Sequence, residues 1–206
     1  AHTTNIDFVR KVSDVLSSKR NKRIADGRTQ YASNPGYARS DYLIDSKLIR
    51  FQSGEGKCAL GESVRGNDIY IITDVLAHNG TVKLIDGEHV ISSDDHYMDL
   101  LRIISVCRGK ARRINVIMPF VYEGRREKLD TRGESYDCAD VLKKLYSLGV
   151  ANLIVFDPHD ARIANAVPLM SIEYPRCQFK LTSALLSKFG SIKLDKDNTI
   201  VVSPDE

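Results

Sequence analysis

Cysteine is sparse and scattered in this chain: Cys58, Cys107, Cys138 and Cys177 form no CxxC pair, and no histidine stands beside them at metal-ligand spacing. This argues against a disulfide framework and a zinc site, and fits reduced thiols in a cytoplasmic protein. Long apolar runs are missing too. None approaches the roughly 20 residues of a membrane span, so no membrane role is expected, and the opening "AHTTNIDFVRKVSDVLSSKRNKR" does not have a signal-peptide pattern. Charge of one sign is nearly absent as a bulk property. Thirty Lys and Arg stand against 27 Asp and Glu, a net charge of +3, so whole-chain charge gives little reason to expect a nucleic-acid partner, and anion binding must be local. There is no fixed-period repeat and no low-complexity segment. What remains is 206 residues with 42% hydrophobic content, enough for a sizeable core in one large domain or one and a half ordinary ones.

Residues 5 to 19 carry Ile6, Val9, Val12, Val15 and Leu16 at helical spacing, which predicts an amphipathic helix followed by the solvated run "SKRNKR" and a turn at "SNPGY". Short β-branched runs follow: "KLIRF" at 47 to 51, "DIYIIT" at 68 to 73, "INVIM" at 114 to 118, "NLIVF" at 152 to 156 and "TIVVS" at 199 to 203. Between the later strands, "DDHYMDLLRIISVCRG" places Met98, Leu101, Ile104 and Val106 on roughly one face, with Asp94 and Asp95 where a helix amino terminus favours acids. "SYDCADVLKKLYSLG" repeats the pattern with Val141, Leu142 and Leu145 and stops at Gly149, and "LTSALLSKFG" stops at Gly190. Alternating strands and helices, with strands apolar throughout, predict an α/β fold: a mostly parallel sheet flanked by helices on both faces. Ligands of such sheets bind beyond the carboxyl ends of the strands.

Those ends carry the chemistry. The strand at 68 to 73 runs into Thr73 and Asp74, which are also ordinary turn formers. The strand at 114 to 118 leads to "PFVYEGRREKLDTRGE", which puts Arg125, Arg126, Lys128 and Arg132 on a loop where guanidinium forks suit phosphate oxygens. A solvated charged loop, its cations cancelled by Glu123, Glu127, Asp130 and Glu134, gives the same pattern. The strand at 152 to 156 leads to "DPHD", where His159 is either a ligand or a locally hydrogen-bonded loop residue; a lone histidine is not the partner Mg²⁺ prefers. "TIVVSPDE" ends the sequence with Ser203 and Asp205 after a strand.

Taken together, "SNP" at 33 to 35, "RFQSGE", "ESVRGNDIYII" at 62 to 72, "DDHYMDLL", "INVIMPF", "DPHD" and "VVSPD" resemble, in order, the phosphoribosyl pyrophosphate synthetases, also called ribose-phosphate pyrophosphokinases. The resemblance implies a phosphoribosyltransferase-like fold, here the amino-terminal domain of an enzyme built from two similar halves, assembled into homo-oligomers (dimers and hexamers). It implies transfer of diphosphate from Mg-ATP to ribose 5-phosphate, giving phosphoribosyl pyrophosphate and AMP, with Mg²⁺ as cofactor. Carried over by position, Phe51 and Glu55 approach the adenine of ATP bound by a neighbouring subunit. Arg125, with Arg126 and Glu127 beside it, contacts the ATP phosphates, and His159 and Asp205 lie at the metal.

The departures are specific. Where the family has Asp before Gly-Glu, Gln and Asp after the loop arginine, and Leu before the histidine, this chain has Ser53, Arg126, Glu127 and Pro158. They leave open a non-catalytic regulatory or assembly paralogue of a true synthetase. Residues 1–30 are expected to form an amino-terminal helical extension, and 31–206 a synthetase-like domain cut short at Glu206. The catalytic residues of the family's mobile loop and its acidic ribose 5-phosphate loop are expected beyond that point.

Overall fold

A computed structural model of the chain describes residues 6–34, 36–78, 80–128, 131–188, 197, 200 and 202. The chain divides into two compact units, Ala1–Tyr174 and Pro175–Glu206. In the first, strands β3 (Asp68–Ile72), β6 (Arg113–Ile117), β7 (Val150–Ile154) and β8 (Ser171–Glu173) form a parallel four-stranded sheet in that spatial order. Helices α2 (Ser93–Cys107) and α3 (Asp137–Ser147) flank it, so the expected α/β architecture is present. The same unit carries two antiparallel hairpins: β1 (Ser46–Arg50) with β2 (Gly56–Leu60), and β4 (Thr81–Leu84) with β5 (Gly87–Val90).

The apolar strands build the core along one row of aligned residues. Ile71, Val116, Leu153 and Ile172 stand in register across the sheet, the first three fully or almost fully buried. Leu100, Ile103, Ile104 and Cys107 of α2 and Cys138, Leu142 and Leu145 of α3 belong to the same apolar cluster. One residue earlier the row changes character: Tyr70, Asn115, Asn152 and Ser171 align. Asn115 is 1% exposed, donates to the Ile69 carbonyl at 3.0 Å and accepts from Asn152 at 2.5 Å, so its buried amide is satisfied. That alignment depends on a register shift, because Ile114 faces Val150 while Asn115 faces Asn152, leaving Ala151 unpaired.

Helix starts and stops follow local chemistry. Ser92 and Asp95 form a reciprocal capping box on α2, each side chain accepting from the other's backbone N–H at 3.1 Å. Beyond α3, Gly149 takes φ +89°, the left-handed conformation that suits glycine at a helix end.

The sequence is corrected in several places. Met98 is exposed, not core-facing; the buried stripe of α2 runs His96, Asp99, Leu100, Ile103, Ile104 and Cys107. "KLIRF" pairs antiparallel with residues 56 to 60 instead of joining the parallel sheet. The amino-terminal helix, α1, extends over Ile6–Ala25, and its buried residues are Ser13 and Ser17. Ser13 donates to Asp41 at 2.8 Å and accepts from the Tyr42 N–H at 2.9 Å, and Ser17 donates to the Ser40 carbonyl at 3.0 Å. Arg20 adds a guanidinium 4.8 and 4.6 Å from the rings of Tyr37 and Tyr42, while Phe8, Val12 and Val15 stay exposed. The strand expected at 199 to 203 falls mostly outside the described residues.

The hairpin β1–β2 is clamped to α2 by charge. Asp99, 5% exposed, receives Arg50 at 3.0 Å on one oxygen and Arg102 at 2.6 Å on the other. Arg102 lies over Gly56 so closely that a Cβ there would come within 2.4 Å of its Cζ.

In the second unit, helix α4 (Cys177–Lys188) buries none of its residues.

Candidate functional site

The sheet delivers its loops to a common edge. Past the ends of the strands the ladder continues, with Thr73 N–H donating to Ile117, Met118 to Ile154 and Phe156 to Pro119 (3.0, 2.9 and 3.1 Å). Hence the loops after β6 and β7 leave side by side.

The loop after β6 is pinned at its root. Tyr122 stacks on Tyr97 of α2, ring centroids 4.6 Å apart, and donates its hydroxyl to Asp94 at 2.5 Å. Burial and that carboxylate push the Tyr122 hydroxyl far above the usual range, and burial lifts Tyr97 to about 12. The chain then turns sharply, with Glu123 at φ +58° and the Gly124 N–H bound to the Val121 carbonyl at 2.9 Å. A Cβ on Gly124 would stand 2.9 Å from both the carbonyl oxygen and the Cβ of Val121. Gly124→Ala is therefore expected to destabilise the protein by about 1–3 kcal/mol, read from a lowered urea midpoint.

After the turn, Arg125 and Arg126 are exposed and make no ion pair with another described residue. Glu127 turns the other way. Its side chain is only 7% exposed, with Oε1 2.8 Å from Nδ1 of His159. The loop after β7 brings His159 there through a strained step: Asp157 takes φ +48°, which only a few per cent of non-glycine residues adopt. Pro158 disfavours the right-handed helical region at Asp157, and the chain uses the left-handed one instead of the extended region such residues prefer.

Asp160 caps the 3-10 helix at Ala161–Ala166 through the Arg162 N–H (2.8 Å) and grips the Arg162 guanidinium at 2.5 to 3.0 Å. Those bonds hold its carboxyl far below the ordinary carboxylate range. Glu127 is held low by its own backbone N–H and by His159, against the opposing pull of burial. Burial, with Glu127 and Glu123 nearby, raises the Cys138 thiol to about 11.

Thus Glu127 and His159, 32 residues apart, meet, with Arg125 and Arg126 on the same loop. Phe51 and Glu55 lie elsewhere, on the β1–β2 turn, where the Phe51 N–H donates to the Glu55 carbonyl at 2.8 Å and Ser53 donates to the Glu55 carboxylate at 3.0 Å. No hydrogen bond among the described residues joins this hairpin tip to the Glu127–His159 pair. Asp205 lies outside the described residues. Beside the pair is a cavity of about 480 Å³ lined by Glu127, Lys128, Tyr136, Lys143, Asp160 and Arg162 among others. Sequence reading did not single out Lys143; its signal was the helical spacing that puts it on one face of α3 with Ala139.

Among the described residues no cluster of three or more His, Cys, Asp and Glu is placed to hold a metal ion. The exposed ring of His159 is what this corner offers, since Oε2 of Glu127 is sealed from solvent and has no hydrogen-bond partner among the described residues. One imidazole by itself would leave a hard cation to take its remaining ligands from phosphate and water.

Residues 10–149 match the family model described as the N-terminal domain of ribose phosphate pyrophosphokinase. The chain belongs to that family. The match starts within α1 and takes in the loop with Arg125, Arg126 and Glu127, ending before His159. Among curated relatives, a ribose-phosphate pyrophosphokinase of Parasynechococcus marenigrum is 28% identical over 180 residues, covering 84% of this chain and 48% of that protein. One from Rhodopirellula baltica is 23% identical over 190 residues, covering 91% and 54%. The chain spans about half the length of these pyrophosphokinases. In three dimensions it is similar to the crystal structure of phosphoribosylpyrophosphate synthetase from Mycobacterium smegmatis, with a TM-score of 0.59 at 20% identity, covering 84% of this chain and 49% of that one. At that identity the likeness shows the fold.

Proposed function

We propose that this chain is the amino-terminal half of a ribose-phosphate diphosphokinase, a transferase of nucleotide biosynthesis acting on Mg-ATP and ribose 5-phosphate. The observation that carries the reading is the Glu127–His159 contact, which joins the loops after β6 and β7 at the carboxyl edge of the parallel sheet beside two open arginines. Exposed guanidinium groups can fork onto phosphate oxygens, and transfer at phosphorus depends mainly on positioning and charge neutralisation. In the reaction the C1 hydroxyl oxygen of ribose 5-phosphate bonds to the β-phosphorus and gives up its proton to solvent. The bond from that phosphorus to the oxygen bridging to the α-phosphate breaks, and AMP leaves with its electron pair.

Arg125 and Arg126 bind the phosphates. His159 would face the Mg²⁺ that accompanies them, whose share would be to neutralise phosphate charge, and Asp205 is proposed as a metal residue on the family resemblance alone. Phe51, with its exposed ring, and Glu55 are proposed to reach the adenine of ATP on a neighbouring subunit of a homo-oligomer, a dimer or hexamer, in the cytoplasm. No helix among the described residues is long and apolar enough to cross a membrane. Residues 1–30 are proposed as a helical extension on the synthetase-like domain of 31–206.

Calorimetric titration of the whole protein with Mg-ATP tests the site. Arg125→Ala and Arg126→Ala are each expected to weaken binding by about tenfold or more, the worth of one charge-assisted contact. Unchanged affinity in both would overturn the assignment. A second reading, a non-catalytic paralogue, draws on the inward turn of Glu127 and the strained step at Asp157. AMP release with phosphoribosyl pyrophosphate formation by the whole protein would exclude it.

A further inference from the structure

We propose that Glu127 is a positioning residue which fixes His159 as the tautomer protonated on Nδ1, so that Nε2 is the ring nitrogen presented to the nucleotide's phosphates and their cation. The presentation to nucleotide rests on the function proposed above; the tautomer rests on geometry alone.

Glu127 is flanked by Arg125, Arg126 and Lys128, all exposed, yet its own side chain is 7% exposed. A carboxylate in a charged loop gains nothing from leaving water unless something inside receives it. What receives it is His159: Oε1 lies 2.8 Å from Nδ1, and Oε2 is buried with no hydrogen-bond partner among the described residues. An ionised carboxylate only accepts hydrogen bonds, so Nδ1 must carry the hydrogen. In the neutral ring that leaves the lone pair on Nε2. The His159 side chain is 58% exposed, so the ring is open to a ligand while its Nδ1 edge is held.

The backbone supports the same orientation. Asp157 at φ +48° and Pro158 set the direction in which His159 leaves β7, and Asp160 anchors its other side by capping the 3-10 helix. Glu127 thus acts through His159, as a carboxylate behind a ligating histidine orients the ring and raises its basicity.

The test is long-range ¹H–¹⁵N NMR on the whole protein labelled at histidine nitrogen, well above the ordinary imidazole pKa of about 6.5. His159→Ala assigns the signals. Wild type is expected to show His159 protonated on Nδ1. Glu127→Leu should move the hydrogen largely to Nε2, and Glu127→Asp should retain the wild-type form at least in part. Calorimetry with Mg-ATP on the same variants should show affinity falling on the order of tenfold in Glu127→Leu and recovering in Glu127→Asp. Wild-type His159 protonated on Nε2 would overturn the proposal, whatever the nucleotide does. So would a tautomer switch in Glu127→Leu with unchanged affinity, if His159→Ala does weaken binding. If neither His159→Ala nor Arg125→Ala affects Mg-ATP, the nucleotide reading fails while the tautomer assignment stands on its spectrum. Circular dichroism confirms that each variant is folded before it is scored.

Discussion

Replacing Asp99 with alanine is expected to lower the unfolding free energy by about 3–5 kcal/mol, the cost of breaking a buried ion pair by removing one partner. Asp99 is 5% exposed and neutralises two guanidinium groups at 3.0 and 2.6 Å. Among the described residues, the Arg50 side chain, 12% exposed, keeps the Asp95 carboxylate at 3.6 Å as its ion-pair partner once Asp99 is gone. Arg102, stacked over Gly56, loses the carboxylate that draws it there. The measurement is urea unfolding, where a lowered midpoint with an unchanged slope reports lost stability and not a changed denatured state. Asp86→Ala is the contrast: Asp86 pairs with His89 at 2.8 Å, but both side chains are open to solvent, so the change should fall within about 1 kcal/mol. Equal effects from the two substitutions would show that the hairpin is not held by this clamp.

The second large effect is expected at Leu142→Ala, about 2–5 kcal/mol. Leu142 is fully buried in the apolar cluster, with Leu145 and Cys138 near it on α3, so the vacated volume opens among side chains already close-packed. Tyr146, one turn further along the helix and 43% exposed, provides the control. Its truncation should cost under about 1 kcal/mol. Because α3 also supplies Ala139 and Lys143 to the wall of the cavity, with Tyr136 just before its start, Leu142→Ala should disturb Mg-ATP binding less than stability if the helix stays docked.

The parts legible in the sequence were those whose signal is local. The runs at 68 to 73, 114 to 118 and 152 to 156 are rich in apolar residues, as strands of a covered parallel sheet are, and they became β3, β6 and β7, although Tyr70 on β3 stays 60% exposed and β7 starts earlier, at Val150. Asp94, Asp95 and Gly149 marked helix ends correctly because caps act through nearest neighbours. The hairpins were missed because "GKCAL", "TVKL" and "GEHV" are short and mixed, and only pairing with a neighbour makes them strands. Met98 was misplaced by a stripe drawn a few tens of degrees off, which the buried polar pair His96 and Asp99 would have corrected had polar residues been admitted to the core. Likewise α1 docks through serines, which periodicity in apolar residues cannot reveal.

At the site, the sequence showed which residue types stood at the strand ends, and the resemblance gave their order. It did not show that Glu127 turns inward. A single acid among Arg125, Arg126 and Lys128 reads as part of a solvated loop, and only the position of His159, reached through a left-handed Asp157, gives it somewhere to go.

The asparagine pair within the sheet has a consequence for strand alignment. A one-residue shift turns a strand's whole set of side chains to the opposite face, and where that set includes a buried amide the shift also breaks a hydrogen bond. A one-residue slip of β7 against β6 would set Ala151 opposite Asn115, leaving an amide sealed from water with nothing to accept from. The skipped Ala151 and the Asn115–Asn152 bond therefore act as a key and its slot. They penalise misthreaded sheets more than they strengthen the correct one, and since Glu127 and His159 hang from the ends of those two strands, the same key decides whether the two side chains ever meet.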